Sequence, residues 1–379
     1  ERADPLTDVS PLGLLSDALS RASGIREDEA PELRHHRLRA HLARVLHDGP
    51  ALERCAIFLG ELAGAPSVDA RLEAELVAAR ADPRLMGDRM GAAFEEWLAA
   101  ETQERTLVCV VEDLHWGDSS SVAFLDSALR SLAERPVLLV ALARPEVHER
   151  FVGLFEGRDL VELRLPGLTR KAATTLVREF LGDGASEAIV ERLVELAQGN
   201  AFYLEELIRR VAEKSEDTKD ELPATVLAIV QARLAALPEE ARRVLRAASI
   251  YGMRFWRSGV LALIGGEERT QALDEWVHNL VAREVVSTQG ESRFAGEQEL
   301  AFRHALLREG AYAMLTDEDR QKGHRLAAGW LRKVGEIDPF VLATHHELGG
   351  DSLGAAPYLV AAAEQAPEAN DLDGCVALA

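Results

Sequence analysis

Through most of this chain, apolar residues recur at the three- and four-residue intervals of helices, and only a few short runs break that rhythm. Pro31 to His47 carries Leu33, Leu38, Leu42, Val45 and Leu46 at a roughly helical period, which assigns Arg34, Arg37, Arg39 and Arg44 to a basic outer face. Asp82 to Arg105 repeats the pattern, with Leu85, Met90, Phe94, Trp97 and Leu98 as its inner face. It feeds directly into Thr106–Val111, a short apolar run rich in β-branched residues that stops at Glu112 and Asp113. That composition predicts a strand buried on both faces. Its C-terminal end opens into a site, because open α/β sheets bind ligands there. A helical stretch from Ser119 to Ala133 leads to a second buried strand, Val137 to Ala143, ending at Arg144 and Pro145.

From Thr169 to Ala212 the pattern predicts three short helices, separated by Gly182-Asp183-Gly184 and by Gly199-Asn200. Gly199 suits a left-handed helix end and Asn200 suits the cap of the next helix. Glu213–Glu221 is charged, lacks apolar residues and reads as an exposed linker. Helices follow around 226–236, 239–249 and 272–283, and strand candidates lie at Glu284–Ser287 and Glu299–Phe302. This helices-then-hairpin order is that of a winged helix. His304, Arg308 and Tyr312 are spaced to share one helical face. Beyond Asp317 the chain is helical again. Leu326, Trp330, His345, Leu348, Tyr358 and Ala362 fall at positions a tetratricopeptide-like array would use, although so few helix pairs do not establish a repeat.

A length of 379 residues permits two to four domains. The net charge of −21 and pI near 5.0 disfavour nucleic-acid backbones and anionic membranes as partners. A local basic patch could escape that average, but in 222–316 eleven arginines meet eleven acids, so DNA binding is disfavoured there too. Cys55, Cys109 and Cys375 are scattered and lack metal-ligand spacing, which points to a reducing cytoplasm. The histidines His35, His36, His41 and His47 read as part of a solvated helix face rather than a metal site. No apolar run approaches the roughly 20 residues that span a bilayer.

Taken alone, Glu112 and Asp113 either begin a polar loop or serve a site, one orienting a magnesium ion and the next polarising an attacking water. The run Glu112-Asp113-Leu114-His115-Trp116-Gly117-Asp118 closely resembles the Walker B segment of AAA-like signal-transduction ATPases of the STAND type. That resemblance implies catalytic roles for Glu112 and Asp113, with Glu112 as the metal ligand. It places the sensor 1 position on Arg144, within reach of a γ-phosphate. Gly199-Asn200-Ala201-Phe202-Tyr203-Leu204-Glu205-Glu206-Leu207 is similar to the family's lid motif, which puts Gly199 and Asn200 near the nucleotide base. Ala201 stands where the motif has proline, which leaves the turn less pre-organised. Phe302–Tyr312 looks like the segment that ends the family's winged helix, and by analogy His304 touches the β-phosphate of ADP. The alternative for His304 is a structural histidine at a domain junction.

The resemblance covers nearly the whole chain. It implies an α/β fold, an incomplete P-loop NTPase core, followed by mostly α structure: a helical lid, a winged helix and the start of a TPR-like helical array. The expected boundaries are 1–168, 169–220, 221–316 and 317–379. Gly-x-x-x-x-Gly-Lys-Ser/Thr, the phosphate cradle such a site requires, is absent, since none of Lys171, Lys214, Lys219, Lys322 and Lys333 follows a glycine in that pattern. Glu1–Leu6 resembles the segment just after the phosphate-binding helix, so the chain reads as a fragment truncated at both ends that keeps half of an ATP site. In this class the missing strand lies between the Walker B side and a later strand, Leu160–Leu165.

The resemblance further implies a cytoplasmic, nucleotide-controlled switch using ATP/ADP and Mg2+, part of a larger bacterial regulator such as a serine/threonine kinase-linked ATPase. Protein partners would bind the C-terminal helices, and oligomerisation would accompany activation. The fragment alone is expected to be inactive. The competing reading is a protein-interaction scaffold with a degenerate ATPase core. A serine-hydrolase reading fails for want of Gly-x-Ser-x-Gly, and no kinase motif occurs in these residues.

Overall fold

The structure, a computed structural model, describes residues 3, 11–26, 29–47, 49–67, 73–182, 185–213, 225–265, 270–290 and 292–365. Most of the expected linker and Cys375 lie outside the described residues. The described chain packs around two hydrophobic cores, one drawn from residues 3–155 and the other from residues 173–342.

The first core is built by helices α1 (Gly13–Ser23), α2 (Pro31–Leu42), α3 (Pro50–Leu62), α4 (Glu73–Arg80), α5 (Pro83–Glu101), α6 (Ser119–Ser131) and α7 (Val147–Arg150), with strands β1 (Leu107–Val111) and β2 (Val137–Ala141). α5 starts where the Asp82 carboxylate accepts the N–H groups of Arg84 and Leu85 and where Pro83 has no N–H to leave unpaired. Met90, Phe94 and Leu98 are its buried stripe, as the periodicity predicts. β1 and β2 pair in parallel, from Leu107 opposite Val137 to Val111 opposite Ala141, and α6 is the crossover between them.

Three expectations are corrected in this half. β1 and β2 are covered on one face only. Leu107, Cys109, Val137 and Leu139 are partly buried, whereas Val108, Val110, Leu138 and Val140 on the opposite face are 38–54% exposed. Strand side chains alternate between faces, and the core reaches only one of them. The second correction concerns Leu160–Leu165, which forms no strand and leaves Leu160, Val161, Leu163 and Leu165 exposed; a strand needs a hydrogen-bonded neighbour, and among the described residues none lies alongside it. The third is Arg34, which is buried rather than on a solvated basic face.

The second core joins α8 (Arg170–Leu181), α9 (Glu187–Ala197), α10 (Ala201–Glu213), α11 (Val226–Ala235), α12 (Glu239–Ile250), β3 (Arg254–Trp256), α13 (Arg257–Ile264), α14 (Thr270–Ala282), β4 (Val286–Thr288), β5 (Glu299–Phe302), α15 (Ala305–Ala313), α16 (Asp317–Val334), α17 (Pro339–Leu348) and α18 (Ser352–Gln365). The three strands form an antiparallel sheet in the order β3-β5-β4. One continuous apolar cluster runs from Ala173 to Leu342, so α8–α10, the sheet-bearing middle and α16–α17 share a single core. Tyr251, Trp256, Phe294 and Trp330 interlock at its centre with ring centroids 4.8–6.1 Å apart. Beside them His324 and His345 are buried with their Nδ1 atoms 3.0 Å apart, and the Tyr312 hydroxyl lies 3.0 Å from His324 Nε2.

The two cores meet where α1 and the end of α3 face residues 292–299 and 336–338. Arg21 of α1 reaches Glu299 of β5, and Gly64 lies against Ile337 so closely that a Cβ there would stand 2.6 Å from its Cδ1. Among the described residues no helix is long and apolar enough to cross a membrane.

Candidate functional site

The C-terminal ends of β1 and β2 carry the first group of expected site residues. Val111 is buried, and the chain then turns sharply. Asp113 takes a left-handed conformation (φ +56°), and Leu114–Trp116 closes a single 3-10 turn with the Trp116 N–H donating to the Asp113 carbonyl at 2.8 Å. A non-glycine residue at positive φ is costly, and such strain is held only where the surrounding contacts enforce it. Here the Leu142 N–H donates to the Val111 carbonyl and the Leu114 N–H to the Leu142 carbonyl, at 2.8 and 3.0 Å, which ties the turn to the end of β2. Glu112 and Asp113 are half-buried, and the Glu112 carbonyl accepts the Ala3 N–H at 3.0 Å.

His115 joins this turn to Arg144. The Arg144 N–H donates to His115 Nδ1 at 3.3 Å, so the neutral ring carries its proton on Nε2. Nε2 is buried without a hydrogen-bond partner. Burial lowers the pKa of His115, the Arg144 guanidinium lowers it further and Asp113 opposes both. The ring is therefore neutral near pH 7, and both charges lie close enough to be felt by it. The Arg144 residue itself is exposed. Glu112, Asp113 and Arg144 thus stand at the ends of the two strands, with Asp113 and Arg144 close to a buried imidazole that the sequence brought up only in the rejected serine-hydrolase reading.

Asp118 anchors the turn from behind. Its buried carboxylate accepts the Ser121 N–H at 2.7 Å as the cap of α6. It also accepts the N–H groups of Leu12 and Leu14 at 2.9 and 3.2 Å, at the entrance to α1. Burial pushes its pKa up and these amides pull it back. Asp-Ser-Ser-Ser ahead of an apolar period is a helix-start signal, so the capping role was legible, whereas the long-range amides were not.

Gly199, Asn200 and His304 form a second group in the other core. Gly199 has φ +82°, and its carbonyl accepts the Leu168 N–H at 2.7 Å. A Cβ there would sit 3.1 Å from the Leu168 carbonyl oxygen, so the position demands glycine twice over. The Asn200 side chain accepts the Tyr203 N–H at 2.9 Å and caps α10. His304 precedes α15 as an exposed residue at its N-cap without capping through its side chain; its ring packs on Phe202, which the sequence reading had not assigned a role.

The donor chemistry at the first group fits a hard divalent cation in part. Glu112 and Asp113 offer carboxylate oxygens, and magnesium is commonly held by one or two carboxylates completed by phosphate oxygens and water. Among the described residues no group of three or more His, Cys, Asp or Glu converges to hold a metal unaided. The orphaned His115 Nε2–H is a donor suited to an oxyanion. A triphosphate cradle is not supplied by these residues.

No protein-family model matches the chain. An uncharacterised protein of Rhizobium meliloti (strain 1021) is 26% identical over 302 residues, which cover 75% of this chain and 28% of that protein. The chain therefore spans little more than a quarter of that relative's length. Among solved structures, a Signal Transduction ATPase with Numerous Domains (STAND) protein with a tetratricopeptide repeat sensor, from Pyrococcus horikoshii, aligns with 100% of this chain and 54% of its own, at a TM-score of 0.47 and 13% identity.

Proposed function

We propose that this chain is the regulatory portion of a nucleotide-controlled switch of the STAND ATPase type. The observation that supports the reading is the position of Glu112, Asp113 and Arg144 just beyond the C-terminal ends of two parallel strands, where open α/β sheets take their ligands. The phosphate-binding loop would come from outside these 379 residues. A bound magnesium nucleotide would supply a labile phosphoanhydride and a metal-held phosphate. Glu112 would hold the metal, Asp113 would orient and polarise the water, and Arg144 would meet the charge that develops on the phosphoryl oxygens. His115 keeps the turn in register with the end of β2. Gly199 and Asn200 would border the base, and His304 would contact the β-phosphate from the second core.

The proposal extends to a larger bacterial cytoplasmic regulator, of the kind linked to serine/threonine kinases, in which 169–220 acts as lid, 221–316 as winged helix and 317–379 as the beginning of a protein-binding array. Oligomerisation on activation belongs to the same reading. Differential nucleotide contacts would bias the packing of the second core against the first. In a longer protein that includes a phosphate loop, Glu112→Gln should weaken magnesium-dependent nucleotide binding, and Asp113→Asn should slow hydrolysis while sparing binding. Wild-type turnover in both variants would remove the assignment.

The absence of Gly-x-x-x-x-Gly-Lys-Ser/Thr from these residues favours a second reading, a protein-interaction scaffold on a degenerate ATPase core. Failure of the longer protein to bind ATP would select it.

A further inference from the structure

We propose that His115 is the positioning residue for Arg144: its ring fastens the backbone of that arginine, beyond the end of β2, to the turn that carries Asp113 beyond the end of β1. The inference rests on the function proposed above for Asp113 and Arg144, and it concerns what holds the two in a fixed relation.

Arg144 lies past Ala141, the last paired residue of β2, and is followed by Pro145. A following proline disfavours the helical region for the arginine backbone. The Arg144 carbonyl accepts the Val147 N–H at 3.1 Å, and Val147 is buried in the first core, so this side of the residue is tied to the start of α7. Among the described residues the Arg144 N–H has a single acceptor, Nδ1 of His115 at 3.3 Å. With both backbone groups held, only the side chain of this exposed residue is left to reach a ligand.

His115 is only 7% exposed, within the turn that the Asp113 carbonyl closes, and its ring packs on Trp116 with centroids 5.2 Å apart. Donation from Arg144 puts the ring proton on Nε2, which is buried without a hydrogen-bond partner. An apolar ring would pack there without leaving a buried N–H unpaired, which is costly. What the imidazole adds over an apolar ring is the Nδ1 acceptor. The strand ends are already joined through Leu142, whose N–H and carbonyl meet Val111 and Leu114, but those bonds stop short of Arg144. The His115 contact carries the link to the arginine itself. Asp113 and Arg144, far apart in sequence, are thereby set on one connected piece of backbone, the kind of prior positioning on which transition-state contacts depend.

The test exploits two amides. Asn places a carbonyl oxygen where Nδ1 stands, whereas Gln places its polar atoms nearer Nε2 and leaves the Nδ1 position to carbon. Nitrogen NMR of the histidine-labelled 379-residue chain should show His115, identified by its loss in His115→Asn, with its proton on Nε2. Hydrogen exchange at the Arg144 amide should speed up roughly fivefold in His115→Gln, the equivalent of one net hydrogen bond, and keep the wild-type rate in His115→Asn. In a longer protein that includes a phosphate loop, His115→Gln should lower kcat for ATP hydrolysis roughly tenfold with KM little changed, and His115→Asn should retain the wild-type kcat. A proton on Nδ1, faster exchange in His115→Asn, or equal effects of Asn and Gln would overturn the assignment; the first two decide it even if His115→Gln does not fold. Absence of ATP hydrolysis by the wild-type longer protein would overturn it as well, and an intact contrast between Asn and Gln in exchange would then trace the failure to the ATPase reading rather than to the hydrogen bond.

Discussion

The ring of His304 packs against that of Phe202, with centroids 4.6 Å apart and planes inclined at 59°. The contact joins the start of α10 to the residue that opens α15, so the segment compared with a nucleotide lid and the residue assigned to the β-phosphate already touch. If His304 reads ADP, His304→Ala in the longer protein should reduce the thermal stabilisation that ADP confers. Loss of a purely packing histidine would lower the melting temperature equally with and without ADP, the stability loss being the roughly 0.5–1.5 kcal/mol typical of an aromatic pair.

Asp118→Ala should be among the most damaging single changes in the first core. It strips the acceptor from the Ser121, Leu12 and Leu14 amides at once. At about 1–3 kcal/mol for each buried group left unpaired, partly offset by water, the expected loss is about 2–4 kcal/mol, with Asp118→Asn milder. Urea unfolding measures it, and a loss under about 0.5 kcal/mol, the range of ordinary surface substitutions, would show that the amides find other acceptors.

Burial lowers the pKa of His324 to about 4 and of His345 to about 3. The unfolded chain protonates both near the ordinary value of about 6.5. Folded stability is therefore complete above that pH, and it falls as the pH drops from about 6.5 towards 4, because only the unfolded state takes up the protons. The slope approaches roughly 1.4 kcal/mol per pH unit for each histidine. His345→Leu should flatten the acid limb of the melting curve; superimposable limbs would contradict the burial argument.

The exposed valines of the parallel pair offer a solubility test. Val108→Thr with Val140→Thr should reduce self-association in light scattering while changing stability by less than about 0.5 kcal/mol, since neither side chain is buried. A large loss of stability would mean that this face is covered in solution.

The isolated chain should bind ATP weakly or not at all, because it offers carboxylates and Arg144 but no phosphate cradle. Titration with ATP and magnesium decides this, and a micromolar or tighter dissociation constant would show that the cradle is dispensable.

Elements carried by local signals were legible in the sequence. Asp82-Pro83 marks the start of α5, Asn200 caps α10 and Glu299–Phe302 is β5 as expected. What failed depends on neighbours that periodicity cannot register. An apolar pentapeptide such as Leu107–Val111 does not disclose whether one or both faces are covered, and Leu160–Leu165 alternates like a strand yet has nothing to pair with among the described residues. β3 and α13 went unnoticed because Arg254–Ile264 switches element after three residues, too short a span for either period to show. In the site, Glu112, Asp113 and Arg144 were visible through the motif. The Leu12 and Leu14 amides bound to Asp118 lie more than a hundred residues away, and no spacing rule reaches that far.

Gly167 and Gly199 face each other so closely that a Cβ on either would lie 3.1–3.2 Å from the other strand of backbone, and the Leu168 amide is bonded across the gap. The chain arriving from the parallel sheet is thereby riveted to the turn ahead of α10 before α8 begins. A swivel of the helical body cannot pass through that rivet. It has to be taken up in residues 156–166, which have no helix or strand to bend, so the pivot of any large rearrangement lies upstream of Gly167. Stiffening that stretch, rather than the turn at Gly199, is the way to freeze the two halves in one orientation.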